Sequence, residues 1–407
     1  VTRWITCRIG DLCTLRRGAS PRPINNFIST EGVPWVKIAD ATESKTRFIE
    51  KTKEFIKEEG AKNSVAVTPG TLILSNSATP GLPKIMKINA CVHDGWLVFD
   101  DFNGITRDFL YYLFLNERER LVQGANGSVF NNLKTDIVKN FIVRIPESIA
   151  IQNRIVSILS SIDDKIELNL KINETLEEMA MTLYKHWFVD FGPFQDGEFV
   201  ESELGMIPKG WRVISCYDLA NYINGKAFKT NQLVDNDGLP VIKIAELKSG
   251  ITNSTKFYNG DIEPKYLLQN GDILFAWSAS LGVFIWAKGK AVLNQHIFNV
   301  KPNGTLSKSM IYFTLKNIIQ EFIEIAASRA TTMGHITKEH LIDKKIALPP
   351  DELLVKVDEK MSNYYQMILS NMLEVERLTQ IRDYLLPRLL SGEIDVSKAE
   401  KQVEEVL

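Results

Sequence analysis

Only four cysteines occur in 407 residues, at positions 7, 13, 91 and 216, and none stands in a CxxC pair. A disulfide framework or zinc ribbon is therefore not expected, and reduced cytosolic thiols are. No apolar run approaches the roughly 18–20 residues of a membrane span. The opening VTRWITCRIGDLCTLRRG lacks the continuous apolar stretch of a secretory signal, so none is expected. Histidine is scarce as well: residues 93, 186, 296, 335 and 340 form no HExxH and no zinc-ligand spacing. The GxxxxGK[ST] phosphate loop and the GxSxG elbow are both missing. So are a glycine-rich loop after a strand for S-adenosylmethionine and an Asn/Asp-Pro-Pro-aromatic tetrapeptide; the only Pro-Pro is Pro349-Pro350. The triplets Glu43-Ser44-Lys45 and Glu263-Pro264-Lys265 fit the ExK pattern of nucleases, but a chain with 24% charged residues produces such triplets by chance. No catalytic residue, metal site or cofactor is expected in this chain.

What is present is organisation. The net charge is −2, yet residues 1–150 carry +4, 151–205 carry −7, 206–350 carry +6 and 351–407 carry −5. Two basic blocks alternate with two acidic ones. The alternation keeps step with an internal repeat. GVPWVKIAD (Gly32 to Asp40) recurs as GLPVIKIAE (Gly238 to Glu246), and TPGTLILSNSAT (Thr68 to Thr79) as QNGDILFAWSAS (Gln269 to Ser280). FNNLKTDIVKNFIVRIP matches MGHITKEHLIDKKIALPP, with Pro146 falling on Pro349. Short apolar stretches such as Thr71–Leu74 and Ile273–Phe275 follow Pro69-Gly70 and Asn270-Gly271 turns and read as strands. FLYYLFLNERERLVQ and MIYFTLKNIIQEFIEIA have the 3.6-residue period of helices. Each basic block is thus a mixed α/β domain.

The acidic blocks follow a different rule. Ile155, Leu159, Ile162, Ile166, Leu176, Ala180, Leu183 and Trp187 keep 4-3 spacing, broken at Asn169 and Asn173. A shift of 202 maps these slots onto Met361, Tyr364, Ile368, Asn371, Val375, Leu378, Arg382, Leu385 and Leu389. This is a coiled-coil seam, in which a polar Asn either fixes register or merely interrupts an amphipathic helix. The shared slot of Asn169 and Asn371 favours register. A helix of some 40 residues spans about 60 Å. The expected architecture is α/β (α+β): two similar domains alternate with two long helices, which pair as an antiparallel coiled-coil spacer with pseudo-two-fold symmetry. The expected segments are 1–150, a central helix 151–191, a linker 192–205, a second domain 206–350, a distal helix 351–391 and an acidic tail 392–407.

SELGMIPKGW (Ser202 to Trp211), LYKHWFVDFGPF (Leu183 to Phe194) and LLPRLLSGEIDV (Leu385 to Val396) together resemble specificity subunits of type I restriction–modification systems. The resemblance spans essentially the whole chain. It implies two target-recognition domains, each reading half of a split, asymmetric double-stranded DNA site. It also implies two methyltransferase (modification) subunits holding S-adenosylmethionine, two ATP-dependent restriction subunits, and a cytoplasmic place of action. Trp187, Phe188, Asp190, Phe191, Leu386, Arg388 and Leu389, at the two helix ends, are the expected partner contacts.

Phosphates demand Lys and Arg, whereas base edges demand forked or amide side chains. Arg16, Arg17 and Arg22 surround Gly18 and Ser20 in a turn that fits either a phosphate contact or a solvated basic loop. Lys226 and Lys229 flank the matching turn after Gly225, and Lys37 and Lys243 match one another in the first repeated segment. Ser75, Asn76, Ser77 and Thr79 are matched by Trp277, Ser278 and Ser280, where Trp277 suits the core as well as a base. Asn294-Gln295-His296 resembles a recurrent family element and equally suits a buried hydrogen-bonded turn. Phe130-Asn131-Asn132 and the stretch from Arg329 through Thr331 and Thr332 to His335 lie where the family places a substrate-facing loop. Two rivals remain at this point: a free-standing pseudo-dimeric DNA-binding regulator, and a duplicated enzyme for which no motif speaks.

Overall fold

The computed structural model describes residues 2–125, 132–328 and 334–404. The chain divides into two compact units, Val1–Leu168 with Arg377–Leu407, and Asn169–Glu376. In the first unit one five-stranded sheet runs in the order Thr14–Arg17, Trp96–Asp100, Leu72–Ser75, Pro83–Met86 and Phe48–Ile49. A second has the order Ile28–Ser29, Glu54–Ile56, Val33–Val36, Ala90–Val92 and Val65–Val67. The second unit repeats the plan with four strands per sheet. One sheet orders Ala220–Asn224, Ile297–Pro302, Ile273–Ala276 and Gly282–Ile285, and the other Phe257–Tyr258, Leu239–Ile242, Ala291–Leu293 and Leu267–Leu268. The parallel pair Val33–Val36/Ala90–Val92 recurs as Leu239–Ile242/Ala291–Leu293. Leu72–Ser75 and Ile273–Ala276 are central and wholly buried, which is why they read as unbroken short apolar runs.

Each globe is closed by pairing its two ends. Trp4–Arg8 lies antiparallel to Ile142–Pro146, and Arg212–Ser215 to Lys345–Leu348. Beyond those closing strands the chain enters the long helices, Ile149–Phe188 and Asp351–Ser391. The 4-3 pattern holds in burial as far as Ala180, beyond which Tyr184 and Phe188 are buried in place of Leu183 and Trp187. Ile155, Leu159, Ile162 and Ile166 are buried in the first unit together with Leu378, Leu385 and Leu389. In the second unit Leu176, Ala180 and Tyr184 share a core with Val357, Met361 and Ile368.

Several sequence expectations change here. Each long helix divides between the two units, and in the second unit it shares the globe's core. The first helix ends at Phe188 rather than 191. Tyr365, not Tyr364, is the buried member of its turn, and its hydroxyl donates to the Gly271 carbonyl at 2.8 Å. The segment 192–205 is no mere linker: it includes the hairpin strand Phe199–Ser202, which pairs with Gly205–Pro208. The acidic tail forms a helix, Val396–Glu404, whose Ala399 and Val403 are buried. Glu400 on that helix meets Arg154 at 2.6 Å.

The asparagines engage across the seam, though not in the pairing their shared slot suggests. Asn169 Nδ2 donates to Glu374 at 2.7 Å, and Asn371 Nδ2 to Asn173 Oδ1 at 2.8 Å. Asn173 Nδ2 also reaches the Ile368 carbonyl at 3.2 Å. As numbers rise from 169 to 173 they fall from 374 to 368, so this pairing is antiparallel. Each of these asparagines finds a polar partner across the seam at the observed stagger.

In the first unit the polar key is ionic. Asp163, buried, accepts Arg382 Nη1 at 3.0 Å and the Tyr112 hydroxyl at 2.7 Å. Arg47, from the loop leading into Phe48–Ile49, donates to Glu167 at 3.1 Å and pairs with Asp164. Removing one member of such a group strands the other without water. Asp163→Ala is expected to cost about 3–5 kcal/mol, a fall of roughly 10 °C in the melting of the first unit. The pair Asp163→Leu with Arg382→Met should recover much of that loss in the same denaturation measurement. A double variant as unstable as the single one would show that the pair is not the source.

Candidate nucleic-acid interface

Four chain segments converge at one end of each unit, held by matching backbone hydrogen bonds. Strand Thr14–Arg17 leads into Gly18, whose N–H donates to the Trp96 carbonyl at 2.8 Å, and the Ala19 N–H to Val92 at 3.2 Å. In the second unit Gly225 donates to Ile297 at 3.1 Å and Lys226 to Leu293 at 3.0 Å. A Cβ on Gly18 would lie 2.1 Å from the His93 carbonyl oxygen, and one on Gly225 2.0 Å from that of Asn294. Only glycine permits this approach. The Asn76 N–H donates to Gly95 at 2.8 Å, as Trp277 does to His296 at 3.2 Å. Ala78 and Ala279 take left-handed φ of 57° and 58° in the same turn. The loop before the last small helix is tied in by Leu133 N–H to the Asn76 carbonyl and Ile336 N–H to the Trp277 carbonyl, each at 2.8 Å.

On that shared backbone the two units carry different side chains. In the first, Asp94 Oδ1 accepts the Ser20 hydroxyl at 2.5 Å. Its Oδ2 lies 3.6 Å from Arg22 and 3.8 Å from Arg17. The Asp94 carbonyl accepts Arg17 Nε at 2.9 Å and Asn76 Nδ2 at 3.0 Å. The Ser20 hydrogen bond, helped by Arg22, holds the Asp94 carboxyl below the usual range. Arg16 turns aside to Asp100 at 2.8 Å, and Lys37 to Glu54 at 2.6 Å.

The second unit replaces this charged arrangement with amides and rings. Gln295 and His296 are exposed, the latter with φ of 74°. Half-buried Trp277 donates its Nε1–H to Asn224 Oδ1 at 3.2 Å and has His296, Phe298 and His335 around its ring. Ser278 and His335 form a single bridge, and the Ser280 N–H returns to the Ser278 carbonyl. The Lys226 ammonium sits 5.1 Å from the Tyr258 ring centre and 5.5 Å from that of Phe228. Lys229 and Lys243 are exposed.

Of the residues singled out in sequence, Ser75, Asn76 and Asn294 are buried. Ser75 Oγ donates to the Thr79 carbonyl and accepts the Leu82 N–H, so it shapes the turn from within. Ser77 and Thr79 are part-exposed and Asn132 is exposed. Phe130, Asn131, Arg329, Thr331 and Thr332 lie outside the described residues. Asp94, His93 and Asn224 were not singled out. The offset of 201 that sets Asp94 against Gln295 carries the signal for the first.

The helix-end residues need correction. Phe188, Leu386 and Leu389 are buried, which removes them as partner contacts. Phe188 stacks on Tyr184 at 4.8 Å, Phe191 packs on Trp211 at 5.1 Å, and Trp187 meets Phe194. Arg388 lies over the Tyr384 ring and pairs with Glu393, while Asp190 is exposed.

The type I restriction modification DNA specificity domain matches residues 2–178 and 208–379. The MjaIX specificity subunit of Methanocaldococcus jannaschii, a type I restriction enzyme component, is 28% identical, over 97% of this chain and 94% of that one. The HindI specificity subunit of Haemophilus influenzae is 24% identical, over 91% of this chain and 96% of that one. The crystal structure of the S subunit from M. genitalium has a similar fold, with a TM-score of 0.53 at 16% identity over 96% of each chain.

His93 offers a direct check on the interface. Burial, more than neighbouring Asp94 can offset, holds its pKa below the ordinary imidazole value, and its Nδ1 accepts the Gly95 N–H at 2.8 Å. Folding thus takes up the neutral ring. Its contribution is whole above the unfolded pKa of about 6.5 and is lost as pH falls from there through the lowered folded value. His93→Asn, the residue found at the matching position 294, should flatten the fall in first-unit stability between pH 7 and 5. An unchanged slope in denaturation measured across that range would show that the ring titrates freely.

Proposed function

The chain belongs to the type I restriction modification DNA specificity family, and from that premise we propose that it reads a two-part, asymmetric double-stranded DNA sequence for partner subunits. The observation that carries this reading is the duplicated turn cluster, alike in backbone and different in side chains. Matching turns let each unit approach the duplex in the same way. Unlike side chains give the two halves of the site different bases. Arg22, Arg17, Lys226 and Lys229 supply cations for phosphates, which confer affinity without sequence. Gln295, His296, Ser77 and Asn132 supply groups for base edges, where sequence is read. Residues 1–150 and 206–350 are the two readers.

The chain itself performs no chemistry in this reading. Two modification subunits bring S-adenosylmethionine and transfer the methyl group, and two restriction subunits join them for ATP-dependent cleavage, in the cytoplasm. With Phe188, Leu386 and Leu389 buried, docking falls to exposed groups of the helix-end regions such as Asp190. The two long helices and their register asparagines set the gap between half-sites.

Exchanging residues 1–150 for the matching domain of another family member should change the bases of one half-site and leave the other as it was. Sequencing methylated DNA from cells carrying the hybrid and its modification subunits reads this directly. Both halves changing together would count against reading by domain. Methyl transfer from S-adenosylmethionine by the purified chain alone would overturn the noncatalytic role.

A further inference from the structure

At the position that the second unit fills with Gln295, the first unit has Asp94, and where the second has Asn224 the first has Arg17. This acid-and-fork combination is peculiar to the first unit. Asp94 is itself fixed, its carboxylate by the Ser20 hydroxyl at 2.5 Å and its carbonyl by Asn76 Nδ2 at 3.0 Å. Arg17 meets it at two points, a hydrogen bond to the main chain and an ion pair with the carboxylate. Nε donates to the carbonyl at 2.9 Å and Nη2 lies 3.8 Å from the carboxylate. The Arg17 side chain nevertheless remains 59% exposed, so the outer edge of its guanidinium is open to a ligand. Arg22 comes nearer the same carboxylate, at 3.6 Å, but has no second tie to Asp94 and is 72% exposed.

A planar guanidinium presents two parallel N–H donors, and the base edge offering two acceptors side by side in the major groove is guanine, through O6 and N7. A long side chain loses rotamer freedom when it reads a base, and prior fixation removes part of that loss. We propose that Asp94 is a specificity-determining positioning residue that holds Arg17 as a fixed fork for a guanine in the half-site read by the first unit. Arg22, without that second tie, serves the phosphates. The carboxyl, held ionised by the Ser20 hydrogen bond, keeps this arrangement through the neutral pH range. The assignment rests on the DNA-reading function proposed above.

The test uses the full chain assembled with its modification subunits, selecting from a randomised duplex library. The wild type should select a two-part motif with a G·C pair in one half. Asp94→Asn and Arg17→Lys should both lower discrimination at that same pair, by about tenfold or more, with the other half unchanged. Arg22→Ala should weaken all sequences alike and reduce the salt slope by about one. A wild type that selects no two-part motif overturns the DNA-reading function itself. A motif selected normally, with the Asp94 and Arg17 variants relaxing different pairs or none, overturns the role of Asp94 alone. Should Asp94→Asn fail to fold, Ser20→Ala decides in its place, because it frees the Asp94 carboxylate and leaves Arg17 intact: its relaxation must fall on the same G·C pair as that of Arg17→Lys, and selection left unchanged by Ser20→Ala overturns the role of Asp94.

Discussion

A helix of forty residues with an apolar stripe along it cannot stand alone in water, and two such helices govern everything else in this chain. Helix propensity supplies little over such a length; packing of the stripe supplies most of the stability. Both long helices satisfy this demand inside each unit, the first unit burying Ile155 to Ile166 with Leu378 to Leu389 and the second Leu176 to Tyr184 with Val357 to Ile368. Apolar contacts alone tolerate a slip of one heptad. The buried Asp163–Arg382 pair and the asparagine contacts of 169, 173 and 371 do not, because a slip leaves polar groups without partners.

The globes follow a second rule, which separates shape from chemistry. Their turns are held by main-chain hydrogen bonds and by two glycines whose missing side chains admit a neighbouring carbonyl. Ala78 and Ala279 accept the same unfavourable backbone conformation in order to close the same turn. Side chains around that frame share almost nothing between units: a guanidinium and carboxylate in one, amides and aromatic rings in the other.

Much of this was legible in the residues because it is periodic. The 4-3 spacing located both long helices, and the recurrence of GVPWVKIAD as GLPVIKIAE located the equivalent strands and turns. Errors came where periodicity stops or where tertiary contacts decide. Tyr364 and Tyr365 are both aromatic, and only the Gly271 carbonyl selects the second. The 392–407 segment looks like an acidic tail, yet its helix buries Ala399 and Val403 and pairs Glu400 with Arg154. Ser75 and Asn76 read as exposed polar residues after a strand, but the tight turn folds them inward. Asp94 is marked in sequence only by the offset that sets it against Gln295, and the four side chains it gathers are hidden by sequence separation.

The main-chain origin of the turn cluster has an evolutionary consequence. A surface whose contour is set by backbone bonds keeps that contour when its outward residues mutate, so substitutions at exposed positions such as 17, 224 and 295 draw little on the stability of the fold. Drift at those positions changes the outward chemistry of the surface without unfolding the chain. A lineage under pressure to change its specificity can therefore pass through many intermediate chains, each folded, rather than crossing a gap of unfolded ones.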